Sequence, residues 1–336
     1  MKKLSKLLAM LLALAMVLSL AACGGNGGSN DGGNTGADPA DRNGDGEVTI
    51  AYSAIALSIA VLPQYLHDNL KTTCDARGWN FIALAAEGDA MLQGEQVNQL
   101  VQQDPDYFVL FPADPALAVD WVQVIGDAGI PCITLHTDVA EAGRANVSAY
   151  CGPDNVTMAA DIAKALIEKH GADAGLKIVE IGGVPVQSDY IDRVAGFDTY
   201  IKENSNYEIL ALEWAFSSRA DAQTIMEGYL ATYGETIDVL MGFDDDLTMG
   251  GINALAEANR SDVEVYSITG QIEAMNAVKD GTMTLTAFYS TKDTVAEVFN
   301  VIDDLAAGKN VEYFHYTKVP HVTVENVADY IDKAEF

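Results

Sequence analysis

Several polar and aromatic side chains follow the strand-like runs of this sequence and could together bind a small molecule. The group contains carboxylates, hydroxyls, aromatic rings, one guanidinium and one imidazole. Its members are Phe111, His136, Thr137, Asp138, Arg193, Phe216, Asp244, Thr269 and Tyr289. Charged groups make strong hydrogen bonds to polar ligands, and rings pack against C–H faces. The mixture therefore predicts a binding site for a small, hydroxyl-rich ligand.

His136 could in principle act as a general base. The sequence has no Gly-x-Ser-x-Gly elbow, no Cys–His constellation and no His-Glu-x-x-His helix to accompany it. A lone histidine after a strand is more often a hydrogen-bond partner, and we interpret His136 in this way. An extracellular hydrolase stays an alternative, but we predict a binding protein without catalytic residues.

Three consecutive aspartates, Asp244, Asp245 and Asp246, suggest a metal site. No histidine or cysteine near them completes a coordination sphere. Asp245 and Asp246 are instead predicted at a helix N-terminus, where negative charge offsets the helix dipole, and Asp244 is left to face a cleft. Residues 41–46 resemble the first half of a calcium loop, but the twelfth position is Tyr52 and not glutamate. We therefore predict neither a metal nor a cofactor.

Ten strand-like runs alternate with helical segments from residue 47 onward. They are Val48–Ala56, Asn80–Ala86, Tyr107–Pro112, Cys132–His136, Val147–Cys151, Lys177–Ile181, Glu208–Trp214, Val239–Phe243, Val263–Thr269 and Met283–Ser290. Short apolar strands separated by helices are typical of parallel sheets covered on both faces. Ten strands are too many for one small sheet, so the sequence predicts two. In such sheets ligands bind beyond the carboxyl ends of the strands.

Helical spacing is clearest in three of the intervening segments. Their apolar stripes run over Val156–Leu166, Ala222–Tyr233 and Val295–Leu305, with stops at or near Gly171, Gly234 and Gly308. Asp154 or Asn155 is predicted to cap the first of them.

The first 23 residues predict export and lipid attachment. Lys2, Lys3 and Lys6 precede the apolar run Leu7–Leu20, and Ala21-Ala22-Cys23 follows it. A basic start, a short apolar stretch and small residues before a cut site are typical of a signal peptide; a membrane span needs about 20 apolar residues. Because Leu-Ala-Ala-Cys resembles the bacterial lipobox, we expect residues 1–22 to be a lipoprotein signal peptide. Cys23 would then carry acyl chains such as palmitate. The alternative is an ordinary cleaved signal with a chance cysteine.

Residues 23–46 are predicted to form a flexible tether. Nine glycines lie among Asn, Asp and Ser in residues 24–46, and the segment contains no aromatic or large aliphatic residue. Such a composition cannot repay the entropy lost on ordering. We therefore expect the folded part of the chain to begin at residue 47.

Charge and cysteine content limit the partners of the chain. Removing the three lysines of residues 1–22 would take the formal net charge from −30 to −33. A surface this acidic repels phosphate backbones, which argues against nucleic acid. Cys74, Cys132 and Cys151 are an odd number, so a complete disulfide framework is impossible and buried free thiols are expected.

Four segments resemble, in order and spacing, the ribose-binding family of periplasmic sugar-binding proteins (type I fold). They are Gly129–His136, Asp154-Asn155, Gly196-Phe197 and Phe243–Gly250. The resemblance spans roughly residues 47–328. It implies an α/β fold of two lobes, each a doubly wound parallel sheet, joined by a three-crossover hinge near Gly152-Pro153, Tyr289-Ser290 and Val319-Pro320. The N-terminal lobe would be 47–152 plus 290–318, and the C-terminal lobe 153–289 plus 319–336.

The resemblance also implies roles for individual residues. The family's ligand arginine falls on Arg193, its asparagine on Asp244, its ring-stacking aromatic near Phe216 and its late glutamine on Tyr289. Other positions depart from the pattern. His136-Thr137 replaces an Asp-Arg pair, Thr269 replaces an aspartate, and the first loop, Leu57–Pro63, is largely apolar. A ligand with one less polar face would suit this loop better than a pentose.

The expected function is that of an extracytoplasmic, lipid-anchored and monomeric solute-binding protein of the bacterial cell membrane. It would bind a sugar or polyol by hinge closure and deliver it to an ABC permease and its ATPase. A receptor component that signals to a kinase or chemoreceptor is an alternative. Furanoses, pyranoses, inositols and non-sugar ligands all remain open.

Overall fold

A computed structural model describes residues 38–58 and 61–335 of the chain. Two six-stranded sheets form the framework of these residues. The first sheet contains β1 (Thr49–Ala54), β2 (Asn80–Ala85), β3 (Tyr107–Leu110), β4 (Cys132–Leu135), β5 (Ala149–Pro153) and β11 (Phe314–Thr317). Its strand order is β11-β5-β4-β3-β1-β2, and all neighbours run parallel.

The second sheet has the same plan. It contains β6 (Lys177–Gly182), β7 (Glu208–Trp214), β8 (Val239–Gly242), β9 (Glu264–Thr269), β10 (Leu285–Phe288) and β12 (His321–Val322). Its order is β12-β10-β9-β8-β6-β7, and only the short edge strand β12 runs antiparallel to its neighbour. The chain passes between the sheets three times: after β5, after β10 and between β11 and β12. The predicted pair of parallel sheets with three crossovers is confirmed.

Nine α-helices connect the described strands. They are α1 (Val61–Arg77), α2 (Ala90–Val101), α3 (Ala118–Asp127), α4 (Asn155–His170), α5 (Ser188–Asn204), α6 (Arg219–Tyr233), α7 (Asp245–Glu257), α8 (Ile272–Asp280) and α9 (Thr291–Ala306). Helices α1 and α9 cover one face of the first sheet, and α2 and α3 cover the other. Helix α9 therefore packs on the first sheet although it follows a strand of the second.

Burial on both faces explains why the strands are continuously apolar. Tyr107 and Val109 of β3 pack with α1 and α9, whereas Phe108 and Leu110 pack with α2 and α3. Successive side chains of a strand point to opposite faces, so both sets must be apolar when helices cover both. This arrangement leaves the strand ends, and not the strand faces, for polar function.

All ten predicted strands are present, with ends shifted by a few residues, but the two last strands were not predicted. β11 alternates exposed and half-buried residues, and β12 has only two residues. Neither carries the apolar run by which the other strands are recognised. Both lie at sheet edges, where one side of a strand is unpaired.

The predicted helix signals are confirmed at three helices. Asp154 caps α4, and its carboxylate accepts a hydrogen bond from the backbone N–H of Thr157. Gly171 and Gly234 follow the last residues of α4 and α6 with positive φ values. Helix α9 ends at Ala306, two residues before Gly308.

The packed chain begins before residue 47, so the predicted flexible segment is too long at its C-terminal end. Ala40 is buried, and the Asp106 carboxylate accepts hydrogen bonds from the backbone N–H groups of Asn43 (3.0 Å) and Thr49 (2.7 Å). Loop carboxylates such as Asp41 bond backbone N–H groups within the loop. Composition did not indicate this, because Asp106 is far away in sequence. The predictions for residues 1–22, Cys23 and the tether up to residue 37 lie outside the described residues.

The three cysteines beyond Cys23 are buried and free, as predicted. Burial raises the pKa of the thiol of Cys74 to about 12, so the group stays protonated and unreactive. Among the described helices, none has the length and apolarity required to cross a bilayer.

Candidate functional site

A cavity of about 510 Å³ lies between the carboxyl ends of the two sheets. Its size is typical of a small-molecule site. Seven of the nine predicted ligand-binding residues line it: Phe111, His136, Arg193, Phe216, Asp244, Thr269 and Tyr289. The structure thus brings together residues that are up to 178 positions apart in sequence, counting from Phe111 to Tyr289.

Arg193 lies at the centre of a polar cluster that forms the floor of the cavity. The residue is 3% exposed, and Nε donates to the Asn155 side-chain oxygen at 2.9 Å. Nη1 donates to the backbone oxygen of Phe243 at 2.9 Å, and Nη2 lies 3.4 Å from Nε2 of His136. A buried guanidinium needs most of its donors satisfied. The protein therefore fixes the Arg193 side chain before any ligand arrives.

Asp189 connects this cluster to the first sheet. It lies one turn before Arg193 on α5, with its carboxylate 3.7 Å from Arg193 Nη2 and 3.7 Å from His136 Nε2. Burial alone would raise the pKa of Asp189, but the contacts with His136, Arg193 and Thr137 outweigh burial and lower it. Asp189 is therefore ionised at neutral pH and balances the charge of Arg193.

His136 is held in an uncommon backbone conformation, with φ at +65°. The hydroxyl of Tyr150 lies within hydrogen-bond distance of the carbonyl oxygens of His136 (2.9 Å) and Pro153 (3.0 Å), which ties the turn to the first crossover. Gly152 leaves room for this hydroxyl, since a Cβ there would lie 2.6 Å from it. The imidazole ring of His136 packs edge-on against the ring of Tyr289, with 5.0 Å between the ring centroids. Burial lowers the pKa of His136, so the ring is neutral at pH 7.

Thr137 and Asp138 do not line the cavity, contrary to the sequence-based expectation. The Thr137 hydroxyl donates to Asp189 at 3.1 Å. The Asp138 carboxylate bonds Thr134 and Arg144, and its backbone N–H donates to the Ser188 hydroxyl at 3.2 Å. Directly after His136 the chain turns behind the floor, so these two residues hold the first sheet against α5.

Asp244 presents a carboxylate to the cavity with few protein partners. It caps α7 by accepting from the backbone N–H of Asp246 at 2.9 Å, and the Thr269 hydroxyl lies 3.4 Å from its other oxygen. Burial and the nearby Asp246 raise the pKa of Asp244 to about 6. A partly buried carboxylate with few donors gains from new hydrogen-bond donors.

Asp245 is adjacent to Asp244 but points into the second sheet. It accepts from the hydroxyls of Ser267 (2.5 Å) and Thr286 (2.9 Å) and from the backbone N–H of Gln271 (2.7 Å). Burial raises its pKa to about 7 despite these bonds. Asp245 therefore joins the ends of β9 and β10 to α7 and does not line the cavity.

Phe216 is held at the mouth of the cavity by a strained turn. Phe216 and Ser217 have consecutive positive φ values of 48° and 60°. Its ring is 67% exposed although it is large and apolar. Non-glycine residues rarely adopt this conformation, and such strain concentrates at functional sites.

Sequence reasoning missed several polar lining residues, of which Asp189 and Tyr190 are the most buried. Both precede Arg193 on α5 by four and three positions, which places them on the same helix face. This spacing was the signal that could have found them. Gln187, Ser217, Asp246 and Gln271 also line the cavity.

The described residues offer no arrangement of three or more His, Cys, Asp or Glu side chains able to hold a metal ion. The Asp244–Asp246 turn diverges, because Asp245 points into the sheet and Asp246 bonds Arg219 at 2.6 Å. What remains is a cavity with carboxylate, hydroxyl and aromatic groups at fixed positions. Such a cavity can bind a hydroxylated molecule.

Comparison with known proteins gives concordant results. A family model described as a periplasmic binding protein domain matches residues 50–310. The xylitol-binding protein of Mycolicibacterium smegmatis is 24% identical over 262 residues, which cover 77% of this chain and 73% of the relative. The ribose import binding protein RbsB of Salmonella typhimurium is 25% identical over 267 residues, which cover 78% of this chain and 88% of that protein.

Solved structures share the architecture. An ABC transporter solute-binding protein of Bacillus halodurans with bound myo-inositol superposes with a TM-score of 0.78 at 25% identity, over 85% of this chain and 98% of that chain.

Proposed function

Because the chain belongs to the periplasmic binding protein family, we propose that it binds a sugar or polyol in the cavity between its two sheets for an ABC importer. The relative from Salmonella typhimurium is a ribose import binding protein, and the family is one of binding proteins and not of enzymes. The relatives named above bind xylitol and ribose, or hold myo-inositol. These ligands are small, neutral and rich in hydroxyl groups.

The observation that carries the proposal is the Asp244 carboxylate beside the fixed Arg193 side chain. Among the described residues, no cation lies within hydrogen-bond distance of the Asp244 carboxylate, and burial together with Asp246 raises its pKa. A ligand hydroxyl can donate to Asp244 as a charge-assisted hydrogen bond. Rings of Phe111, Phe216 and Tyr289 line the same space and can pack against the C–H groups of the ligand.

The mechanism that we propose is closure of the two lobes around the ligand. We assign residues 47–152 plus 290–318 to one lobe and 153–289 plus 319–336 to the other, and three crossovers link the two sheets. A ligand that contacts both lobes favours the closed state by its higher affinity for that state. The closed form would then dock on a permease driven by an ATPase.

Attachment to the membrane through Cys23 completes the proposal. The export signal and the Leu-Ala-Ala-Cys segment support it. Acyl chains contribute about 0.8 kcal/mol per buried CH₂ group, enough for two or more chains to retain a soluble domain at a bilayer. Radiolabelled palmitate should be incorporated by the natural chain and not by a Cys23→Ser variant.

A thermal-shift screen of pentoses, hexoses, inositols and polyols tests ligand binding. A ligand stabilises the folded state by RT ln(1 + [L]/Kd), so weak binders are detectable at millimolar concentration. We expect at least one of these compounds to raise Tm. Asp244→Asn should remove the shift, whereas Asp173→Asn, an exposed carboxylate beyond the opposite end of the second sheet, should keep it. A screen in which no compound raises Tm contradicts the proposal.

A further inference from the structure

The two walls of the cavity have different chemistry. The wall contributed by the first sheet is mostly apolar, with side chains of Ile55, Val61, Leu62, Pro63, Phe111 and Ala113. The wall contributed by the second sheet also has apolar side chains, such as Met158, Val184 and Ile268, but carries most of the hydroxyl, amide and carboxylate groups: Gln187, Tyr190, Ser217, Asp244, Thr269 and Gln271. A ligand between the walls therefore meets most of its polar partners on the second wall.

Two polar side chains of the first wall, Asp114 and His136, are partly engaged by the protein. One Asp114 oxygen accepts hydrogen bonds from the backbone N–H groups of Ala116 (2.8 Å) and Leu117 (3.0 Å), at the start of α3. Nε2 of His136 faces the guanidinium of Arg193 at 3.4 Å, whereas its Nδ1 is buried without a hydrogen-bond partner. A ligand hydroxyl that points toward Val61 and Leu62, and not toward His136, gains little in exchange for the water that it loses.

The charge of the cavity excludes anionic ligands. Asp114, Asp189, Asp244 and Asp246 all line it, and Arg193 is the guanidinium among its described lining residues. Arg193 is balanced by Asp189, and its Nε and Nη1 groups donate to protein oxygens. A phosphorylated or carboxylated sugar would bring a further negative charge into a buried acidic site, which is unfavourable.

From these walls we propose that the ligand is an uncharged hydroxylated molecule with an apolar edge, such as a deoxy sugar. Its hydroxyl groups bond the second wall, and its methyl or deoxy position contacts Val61 and Leu62 of the first. This inference rests on the proposed function and narrows it. Removing a buried hydroxyl that lacks a partner, and leaving a methyl group against apolar side chains, strengthens binding on the order of tenfold or more.

Matched sugar pairs test the inference by titration calorimetry on the full chain. The pairs are D-fucose with D-galactose, L-rhamnose with L-mannose, and 5-deoxy-D-ribose with D-ribose. In the pair that binds most tightly, we expect the deoxy member to have at least a tenfold lower Kd. A hydroxylated member that binds as tightly or more tightly overturns the inference and leaves the proposed function intact. If neither these sugars nor the polyols and inositols bind, the proposed function fails as well.

Variants of the apolar wall provide a second test of the inference. Leu62→Gln places an amide at the wall and should reduce the preference for the deoxy sugar at least fivefold. Leu92→Gln is the matched control, because Leu92 is exposed on α2 and does not line the cavity. Val61 is 49% exposed, so Val61→Asn makes the same test without disturbing the core. An unchanged preference in both Leu62→Gln and Val61→Asn contradicts the proposed orientation of the ligand.

Discussion

Two carboxylates line the same cavity and differ in the hydrogen-bond and charge partners that the protein provides. Asp189, in the floor, has His136, Thr137 and Arg193 as partners, and its pKa is lowered. Asp244, at the start of α7, has a backbone N–H group and a distant hydroxyl, and its pKa is raised to about 6. Asp189 is almost fully buried and Asp244 only partly, so burial alone would raise the pKa of Asp189 more. The partners therefore cause the difference. The floor uses its charge to hold the two sheets together, whereas the turn keeps its charge available for a ligand.

Removing the cation of the floor should have the largest effect. Arg193→Met leaves Asp189 buried without its cation, and we expect the free energy of unfolding to fall by about 3–5 kcal/mol. Denaturant titration measures this change. Arg219→Met is the matched control, since Arg219 is 37% exposed and its two ion pairs contribute little. A change of less than about 1 kcal/mol in Arg193→Met would mean that the floor is not held by charge.

Arg193→Lys should fold but bind ligand more weakly, because lysine cannot reproduce the planar fork.

Replacing each carboxylate with an amide distinguishes the role of Asp189 in the floor from that of Asp244 in the turn. Asp189→Asn should lower the free energy of unfolding by about 2–3 kcal/mol, because charged hydrogen bonds across the floor are lost. Asp244→Asn should not destabilise the free protein at pH 7, but should weaken ligand binding on the order of 10- to 100-fold. Equal stability losses in the two variants would remove the distinction between floor and turn.

Ionisation of Asp244 should change the free energy of unfolding with pH, by on the order of 1–2 kcal/mol. Its pKa in the folded protein lies above the ordinary value, so its contribution favours folding at low pH and is lost as pH rises through about 6. Asp246 and Asp189 oppose its ionisation, and Arg193 favours it. His136, with a lowered pKa, acts in the opposite direction below its ordinary pKa.

The pKa of Asp245 is also raised, to about 7, so its ionisation adds to the pH dependence in the same direction as that of Asp244. The difference between Asp244→Asn and the natural protein isolates the contribution of Asp244 from those of His136 and Asp245. We expect the variant to gain stability relative to the natural protein between pH 5 and pH 7.5. Denaturant titrations at four or five pH values measure the gain. A difference that stays constant across this range would show that the pKa of Asp244 is not raised.

The smallest effect is expected at a hydroxyl of the floor. Thr137→Val keeps the shape of the side chain and removes the hydrogen bond to Asp189, which should cost about 1 kcal/mol of stability. Ligand affinity should change only slightly, because Thr137 does not line the cavity. Calorimetry checks this, and a loss of affinity as large as that of Asp244→Asn would mean that Thr137 contacts the ligand.

The sequence pattern predicted the central strands and several helices. Helices cover both faces of each central strand, which makes the strand a continuous apolar run, and a helix packed on a sheet has an apolar stripe with helical spacing. The pattern could not predict β11 and β12, whose exposed edges carry no apolar run. The site was predictable where a residue directly follows a strand and its side chain turns inward, as at Asp244. Thr137 and Asp138 also follow a strand, but the turn at His136 directs them behind the floor, and sequence alone gives no sign of that turn. The partners of Asp189 come from α5 and from the loop after β4, and only the fold brings them together.

Small-angle X-ray scattering of the purified protein, free and saturated with the tightest ligand of the screen, tests the central claim most directly. Capture of a ligand between two hinged lobes predicts a smaller radius of gyration on saturation, and no change for Asp244→Asn at the same ligand concentration. A saturated natural protein with the scattering profile of the free protein would contradict the account.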